Sequence, residues 1–436
     1  MEAAEKALRT LSAAKYADVR VLKQQSVHVA LRGDSAEHSE SRINRLVCRC
    51  IARGYGVAQV EVNGEVDGRE VGERALRQAM VAEGDLQLVE VKVEEGEKRW
   101  VAREEFDVER AEEILVGLRN AVYDHLKNVS FRLEAVATFT LTDSFLITSE
   151  GTRVREVLPL TDLVAYLVVR GVGEGFSSLC VGGVGGLETV AEWWRLVEEF
   201  VAKAVDSANA KPLSSTFKWR KQTVILDCEA AGALAHETAH MLEGDLYTGQ
   251  PFKSTELPEE FMLVDDPLLE HGYGSFQWDD EGVKAKRKLL LTRGNVRLLH
   301  TRLSAPSGDE AGNAHGVNHK PRPMMSNIYI APSDWKPREI IEETREGIYV
   351  KASSESWVAP FSGLLQLTPE VAYLVEKGEE VKPVKGLRVA GLIPRILACV
   401  DAIGNNLRLK PNVEKGFNVS EGGPQLRIKE CRILAF

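Results

Sequence analysis

The sequence predicts an α+β protein of two domains: a mixed α/β N-terminal domain and a strand-rich C-terminal domain that carries one strong helix. Its length of 436 residues allows two or three domains at roughly 150 residues each. Helical and alternating patterns interchange in the first half, whereas short strands and turns rich in Gly, Pro and Asp fill the second. A polar stretch between Asn209 and Lys221 separates the two halves. We therefore expect domains at residues 1–212 and 213–436.

The N-terminal domain is expected to begin with an Ala-rich amphipathic helix and to continue as strands and helices in turn. Apolar residues at three- and four-residue spacing predict helices within residues 3–14, 68–85, 108–128 and 187–200. Period-two alternation that ends in turn residues predicts strands within residues 17–33, 46–66 and 130–171. The last of these stretches contains the hairpin turn SEGTR and therefore holds two paired strands.

The C-terminal domain is expected to start with a short buried strand, TVILD, followed by an Ala-rich helix. Alanine is the strongest helix former, and glycine is a common stop just past a helix end. We therefore expect the helix to run from Glu229 to Glu243, with Gly244 as its stop. Short strands and turns are expected over the rest of the chain.

Composition and charge exclude several function classes. Lys and Arg total 55 against 65 Asp and Glu, which leaves a net charge of −10, so binding to nucleic acid or to an anionic membrane through bulk charge is not expected. Six scattered cysteines do not form a disulfide scaffold, and the spacing of Cys48 and Cys50 fits neither a zinc knuckle nor a redox motif. No signal peptide and no window of about 18 apolar residues is present. We therefore expect a cytoplasmic protein whose cysteines stay reduced.

The expected C-terminal helix contains an HExxH motif formed by His236, Glu237 and His240. Residues four apart stand one turn above each other with Cβ atoms about 5–6 Å apart, so both imidazoles can bind one zinc ion. Glu237 follows the first ligand, where its carboxylate can reach a water held at the metal. The motif therefore predicts a catalytic Zn²⁺ site.

The pattern alone does not identify the third protein ligand, which a catalytic zinc requires while its fourth position stays open. Spacing leaves several candidates, and Glu243 is alternatively a partner that orients an imidazole from outside the coordination sphere. The candidates for the third ligand are Glu243, His271, His315, His319 and Cys399. The polar loop NAHGVNHKPRPMMSN offers His315, His319 and Arg322 as a second electrophile for the reaction.

Several stretches, in this order, make the chain similar to the TldD/PmbA family of modulators of DNA gyrase, which are zinc peptidases. The likeness covers most of the chain and is strongest after Ser214. The stretches are SEGTRVREV, AGALAHETAHMLEGD, LVDDP, DDEGVKAKRKLLLTRGNVRLLHTRLSA, HKPRPMMSNIYIAPS, REGIYVKASSESWVAPFSGLLQL, LIPRILACVDAIGN and GGPQLRI.

The resemblance implies site residues that spacing leaves open. It implies Cys399 as the third zinc ligand beside His236 and His240, with Glu237 as the general base. It also implies the active subunit, because the paralogous subunit of the family lacks the histidine motif. The family's usual motif is HExxxH, one residue longer than HETAH here. The shorter spacing lets both imidazoles converge without local unwinding of the helix.

These expectations combine into one functional hypothesis. The chain is predicted to be a zinc metallopeptidase that hydrolyses unfolded peptides or small protein fragments, with water activated by Glu237. The peptide is expected to bind extended at a sheet edge, and the resemblance implies a homodimer or a heterodimer with a PmbA-like subunit. The alternatives are a non-catalytic peptide-binding or partner subunit, a structural zinc site with four protein ligands, and an ordinary zincin whose third ligand is a downstream Glu or His.

Overall fold

The computed structural model describes residues 2–33, 35–64, 66–214, 221–247 and 250–436. With 22% helix and 46% strand, it confirms the α+β class and the strand-rich C-terminal region. The assignment of two domains stays a prediction, and residues 215–220 of the expected break lie outside the described residues. None of the described helices is long and apolar enough to cross a membrane.

The first half of the chain builds one large sheet with helices on it. Its helices are α1 (Glu2–Thr10), α2 (Gly68–Val81), α3 (Val108–His125) and α4 (Val197–Asn209). Its strands are β1 (Tyr16–Arg32), β2 (Ser35–Ile51), β3 (Tyr55–Glu61), β4 (Glu95–Arg99), β5 (Ser130–Thr148), β6 (Arg153–Arg170) and β7 (Glu174–Val184). The sheet order is β3-β2-β1-β5-β6-β4, and β7 also pairs with β6. All pairings are antiparallel except that of β4 with β6.

The second half contains the remaining strands and short helices. The strands are β8 (Lys211–Pro212), β9 (Lys221–Leu226), β10 (Leu263–Asp265), β11 (Lys288–Thr292), β12 (Asn295–Val296), β13 (Ala314–His315), β14 (Arg322–Pro323), β15 (Asn327–Ile330), β16 (Glu346–Ala359), β17 (Leu364–Glu376), β18 (Glu379–Lys385), β19 (Leu387–Leu392), β20 (Val400–Ile403), β21 (Arg408–Glu414), β22 (Phe417–Gly423) and β23 (Leu426–Ala435). The helices are α5 (Cys228–His240), α6 (Gln250–Lys253), α7 (Pro337–Glu342) and α8 (Ile393–Ala398).

Two sheets of the second half enclose helix α5. An eight-stranded sheet runs β16-β9-β23-β19-β17-β18-β8, with β20 on β23, and a further pairing of β16 with β17 closes five of its strands into a ring. A six-stranded sheet runs β12-β11-β10-β15-β22-β21. The alanines of α5 lie in one apolar core with residues of both sheets. Helix α5 is therefore central, and neighbouring strands reach it from two sides.

Local contacts explain where α5 begins and why it lies so close to β22. Asp227 caps the helix, because its Oδ1 accepts a hydrogen bond from the Ala230 backbone N–H at 2.8 Å. Its Oδ2 accepts another from the Ala352 N–H at 3.0 Å, which ties the cap to β16. A Cβ at Gly232 would lie 3.0 Å from backbone atoms of Gly422, so glycine allows the close approach of helix and strand.

Two expected helices differ from those observed. Helix α5 ends at His240 and not at Glu243, because the next residues form a tight turn and Gly244 donates its N–H to the carbonyl of Leu299 at 2.8 Å. The helix expected within residues 187–200 consists of two short 3₁₀ turns, and regular α-helix begins only at Val197. The expected strand over residues 46–66 is the end of β2 plus β3, joined by a turn.

Buried charged groups join the two halves of the chain. Arg49 on β2 pairs with Asp18 at 2.8 Å and donates to the Gly316 carbonyl at 2.6 Å. Arg302 reaches back to Glu150, with two nitrogen–oxygen distances of 2.7 and 2.9 Å. Since a buried charge without a partner is costly, these pairs hold the first sheet in a defined position against the second half.

Candidate metal centre

Three side chains converge beside helix α5. His236 and His240 stand one turn apart, and their Nε2 atoms are 3.1 Å apart. Glu414, the last residue of β21, places Oε2 at 3.5 Å from Nε2 of His236 and Oε1 at 3.5 Å from Nε2 of His240. Among the residues that the structure describes, this is the one group of three or more potential metal ligands whose ligand atoms all lie within 4.8 Å of one another.

The spacing of these atoms fits a zinc ion. Two nitrogens at 2.0–2.1 Å from a tetrahedral zinc are about 3.3 Å apart, close to the observed separation. Two histidines and one glutamate form a ligand set of catalytic zinc sites, which keep a fourth position open. His236 is 5% exposed, whereas the side chain of Glu414 is 23% exposed, so the centre is accessible from the side of Glu414.

Each imidazole has a carboxylate beside its Nδ1 atom: Glu243 forms a hydrogen bond with His240, whereas Glu421 forms an ion-pair contact with His236 without hydrogen-bond geometry. The Nδ1 atom of His240 lies 2.7 Å from Oε1 of Glu243, and the Nδ1 atom of His236 lies 3.0 Å from Oε2 of Glu421. A carboxylate at Nδ1 keeps the proton there and leaves the Nε2 lone pair free for a metal. Both rings therefore present the correct nitrogen to the same point.

The holding carboxylates have partners of their own. Asn412 donates to Oε2 of Glu421 at 2.8 Å, and the Lys410 ammonium lies 3.4 Å from Oε1. Glu243, only 3% exposed, has the Lys415 ammonium at 3.5 Å and the Arg322 guanidinium at 3.7 Å. Such partners fix the orientation of a ligand-holding carboxylate and thereby the orientation of the ligand itself.

Negative charge exceeds positive charge around the centre. Its five carboxylates belong to Glu237, Glu243, Asp245, Glu414 and Glu421, and its three cationic partners are Arg322, Lys410 and Lys415. With neutral histidines, two negative charges stay uncompensated, which is the charge that one divalent cation offsets. Buried charges need such compensation.

The protonation behaviour of the metal-free site reflects the same excess. Burial lowers the pKa of His236, but contacts with Glu414 and Glu421 outweigh it and raise the pKa to about 10. The pKa of Glu414 is lowered to about 2 by its contact with His236, although burial opposes this shift. Burial raises the pKa of Glu421, but His236 and Lys410 bring it down to about 2. The carboxylates therefore stay ionised and favour a bound cation, either a proton or a metal.

Glu237 lies next to the convergent ligands without belonging to them. It is 5% exposed, and its Oε1 accepts a hydrogen bond from the Ser356 hydroxyl at 2.8 Å. Ser356 belongs to β16, which passes along α5. The hydroxyl therefore fixes the orientation of the Glu237 carboxylate.

Cys399 lies apart from this group. It caps the C-terminus of α8, and its carbonyl accepts a hydrogen bond from the Lys429 N–H at 2.9 Å. Its partly buried side chain lines a largely apolar cavity of about 620 Å³ together with Leu364 and Cys431. Within the described chain, the structure thus brings Glu414, and not Cys399, to His236 and His240. Sequence reasoning passed over Glu414 because no local motif marks it.

The other candidate residues lie outside the ligand group as well. The ring of His315 packs between Phe276 and Phe417, with centroid distances of 5.4 and 5.2 Å. His319 packs on Phe417 at 6.1 Å, and His271 contacts the carbonyl of Val184 at 2.9 Å. Arg322 pairs with Asp245 at 3.0 Å and is thereby held near Glu243. Glu243 itself lies just past the end of α5 and contacts Nδ1 of His240.

Comparisons with known proteins indicate a family of metallopeptidases. A family model described as the PmbA/TldA metallopeptidase C-terminal domain matches residues 220–435. A metalloprotease of Methanocaldococcus jannaschii is 28% identical over 428 residues, 93% of each chain. A zinc metalloprotease TldD homolog of Saccharolobus solfataricus is 27% identical over 234 residues, 50% of this chain and 53% of that protein. In fold, the chain is similar to TldE from Thermococcus kodakarensis, with a TM-score of 0.80 and 16% identity over 99% of this chain and 100% of that one.

The names of the sequence relatives indicate a metallopeptidase, and one of them specifies zinc. The match to the family model covers the part of the chain that contains both histidines and Glu414. Because the first of these relatives also spans nearly the whole length of both chains, the protein belongs to the PmbA/TldD family.

Proposed function

We propose that this chain is a zinc-dependent peptidase that hydrolyses unfolded peptides or small protein fragments. The observation that carries the proposal is the convergence of His236, His240 and Glu414 on one point, with Glu237 beside them. In this assignment Glu414 takes the place that the sequence resemblance implies for Cys399. The names of the relatives support the reaction class.

The side chains of the centre have distinct roles in the proposed reaction. His236, His240 and Glu414 hold the zinc, which when bound supplies Lewis-acid activation of water and of the peptide carbonyl. Glu237 accepts the proton that the attacking water loses and delivers it to the leaving amine. Glu243 and Glu421 keep the imidazoles in place through their Nδ1 atoms.

A free strand edge supports binding of an extended peptide. Strand β16 pairs with β17 along its whole length, but β9 covers its other edge only at Ile348–Val350. In the described part of the chain, residues 353–359 thus pair with a strand on one edge only. Ser356 in this segment contacts the proposed base. A peptide that adds to this edge as a strand passes close to Glu237, and main-chain hydrogen bonds tolerate varied side chains.

Two further expectations belong to the same proposal. The chain works as a homodimer or as a heterodimer with a PmbA-like subunit, and its similarity in fold to TldE supports a partnership of that kind. It works in the cytoplasm, where the thiols of its six free cysteines stay reduced.

The test is a Glu237→Gln variant, compared with wild type in digestion of an unstructured peptide with zinc, with chelator, and with zinc restored. We expect zinc-dependent cleavage by wild type and a loss of about 10²–10⁴-fold in the variant at unchanged zinc content. Glu379→Gln, at the exposed start of β18, is the matched control and should cleave like wild type. Full activity of Glu237→Gln would refute the role of the base. Zinc binding without any cleavage by wild type would favour a non-catalytic subunit.

A further inference from the structure

The turn that follows Glu414 has an unusual residue in a left-handed conformation. Glu414 and Phe417 pair across the β21–β22 hairpin, so Lys415 and Gly416 form a two-residue connection. Their φ angles are +51° and +84°. Positive φ at both central positions identifies a type I′ turn, whose first position favours Asn, Asp or Gly. Lysine is disfavoured there because its Cβ crowds the backbone.

The same Lys-Gly turn occurs a second time in the protein. Lys377 and Gly378 connect β17 to β18 with φ angles of +54° and +82°. Lys377 is exposed, and among the described residues no carboxylate lies within 4.0 Å of its ammonium group. The backbone conformation is therefore not by itself a sign of function. The surroundings of the two ammonium groups are what distinguish the turns.

The ammonium of Lys415 lies at the metal centre. Its Nζ is 3.3 Å from Oε1 of Glu414, a proposed metal ligand, and 3.5 Å from Oε1 of Glu243, which holds His240. The Lys415 side chain is 45% exposed, whereas that of Glu243 is 3% exposed. The ammonium therefore lies between the proposed ligands and solvent.

The other two cations of the centre are less free to meet a substrate. The Arg322 side chain is 41% exposed, but it is bound through Nε to Asp245 at 3.0 Å and contacts Glu243, not the proposed ligand Glu414, at 3.7 Å. Lys410 has a side chain only 19% exposed and lies behind the centre, near Glu421 and Glu229. Lys415 carries a compact charge on a flexible stem with three rotatable donors. It can therefore move from Glu414 to a nearby oxygen without disturbing the turn.

We propose that Lys415 is the second electrophile of the peptidase reaction, a role that rests on the proposed function. Its ammonium donates a hydrogen bond to the carbonyl oxygen of the scissile peptide as that oxygen gains negative charge. The proton stays on Lys415 throughout, so the step makes and breaks no bond at this residue. The ammonium strengthens its contact as the charge develops, which stabilises the transition state more than the bound peptide.

The test compares Lys415→Met, Lys415→Arg and Lys415→Gly with the same three substitutions at Lys377. Each variant is measured for kcat and KM on an unstructured peptide, for zinc affinity and for thermal stability. A fourth readout is the affinity for a peptide phosphonate, whose tetrahedral anion resembles the transition state. Lys377 variants share the backbone change and carry none of the contacts at the metal centre.

We expect Lys415→Met to lower kcat about 10²–10³-fold, the usual effect of losing one oxyanion donor. KM and zinc affinity should change by less than about threefold. The affinity for the phosphonate should fall by the same factor as kcat. Lys415→Arg should retain a larger share of kcat because it keeps the charge. Lys415→Gly should lose kcat as Lys415→Met does but melt at a higher temperature than Lys415→Met. Both variants lose the contacts with Glu414 and Glu243, and only glycine adopts positive φ without strain. Among the control variants, Lys377→Gly should raise the melting temperature with kcat unchanged.

Three outcomes would overturn the proposal, and they are distinguishable. A wild-type kcat in Lys415→Met and Lys415→Gly would exclude any role in the reaction. Weaker zinc binding with a normal kcat at saturating zinc would show that Lys415 only supports Glu414 and Glu243. Absence of zinc-dependent cleavage by the wild-type protein would refute the peptidase function, and the role of Lys415 with it. If Lys415→Met does not fold, the Lys415→Gly variant gives the same comparison in a relaxed turn.

Discussion

Replacement of Glu414 by alanine is the sharpest test of the proposed ligand set. The substitution removes the oxygens that lie 3.5 Å from Nε2 of both His236 and His240. It leaves two imidazoles, and it reduces the uncompensated charge of the centre from two negative charges to one. Loss of a partner outside the coordination sphere typically weakens metal binding 10–100-fold. Loss of a direct ligand should exceed this, so we expect zinc affinity to fall more than about 100-fold, or about 2.7 kcal/mol at 1.36 kcal/mol per factor of ten.

The assay is competition for zinc between the protein and a chelating dye, with Cys399→Ser as the comparison. Cys399 lies with Cys431 beside the apolar cavity, so its loss should change zinc affinity by less than about threefold. Substitution of cobalt for zinc gives an independent readout, because a thiolate ligand produces intense sulfur-to-metal charge transfer. We expect that band to be absent from the wild-type protein. Its presence, together with tight zinc binding by Glu414→Ala and weak binding by Cys399→Ser, would refute Glu414 as the ligand and support Cys399.

Two further predictions concern the base and the contact between the halves of the chain. Ser356→Ala removes the hydrogen bond to Glu237 and should lower kcat about tenfold at unchanged zinc content, since bonds to charged groups are worth about 1.5–3 kcal/mol; unchanged kcat would contradict the orienting role. Glu281 lies beside this contact, where its Oε2 accepts a hydrogen bond from the Arg302 N–H at 2.6 Å. Burial, followed by repulsion from Asp279, raises the pKa of Glu281 from its ordinary value near 4.5 to about 8. The folded protein therefore holds the proton of Glu281 more tightly than the unfolded chain does. The stability that this proton contributes is complete below pH 4.5 and is lost as the pH rises through 8. The assay is thermal unfolding of wild type and Glu281→Gln at pH 5 and pH 8.5. The variant should gain stability relative to wild type as the pH increases between these values. A difference in melting temperature that is the same at both pH values would contradict the shift.

The sequence predicts the elements that have one buried and one polar face. Residues 130–171 alternate with period two and form β5 and β6, and β6 keeps this alternation in its burial. Apolar spacing within residues 108–128 predicts α3, one face of which lies in the core of the first half. The outer part of β2 is exposed over most of its length and therefore shows no such pattern. This part of β2 is not predicted by the sequence. It is held by backbone hydrogen bonds to β1, which leave no alternation of apolar and polar residues.

The candidate metal centre likewise has one part that the sequence predicts and one part that it does not. His236, Glu237 and His240 lie within five consecutive residues, so their relation follows from helical geometry alone. The end of the helix did not follow from the sequence, because the turn after His240 depends on a hydrogen bond to Leu299, a residue of a distant segment. Glu243 is consequently outside the helix, where it contacts Nδ1 of His240.

By itself, the sequence determined the pair of imidazoles, the neighbouring carboxylate and the class of metal that suits them, because these depend on residue type and local spacing. Only the tertiary structure brings distant side chains to this candidate centre. Glu414, Glu421 and Lys415 arrive on the β21–β22 hairpin, and Ser356 arrives on β16, since two sheets pack against the same helix. No spacing rule connects these segments along the chain. Their convergence results from burial of the apolar faces of both sheets, which fixes how each strand passes the helix.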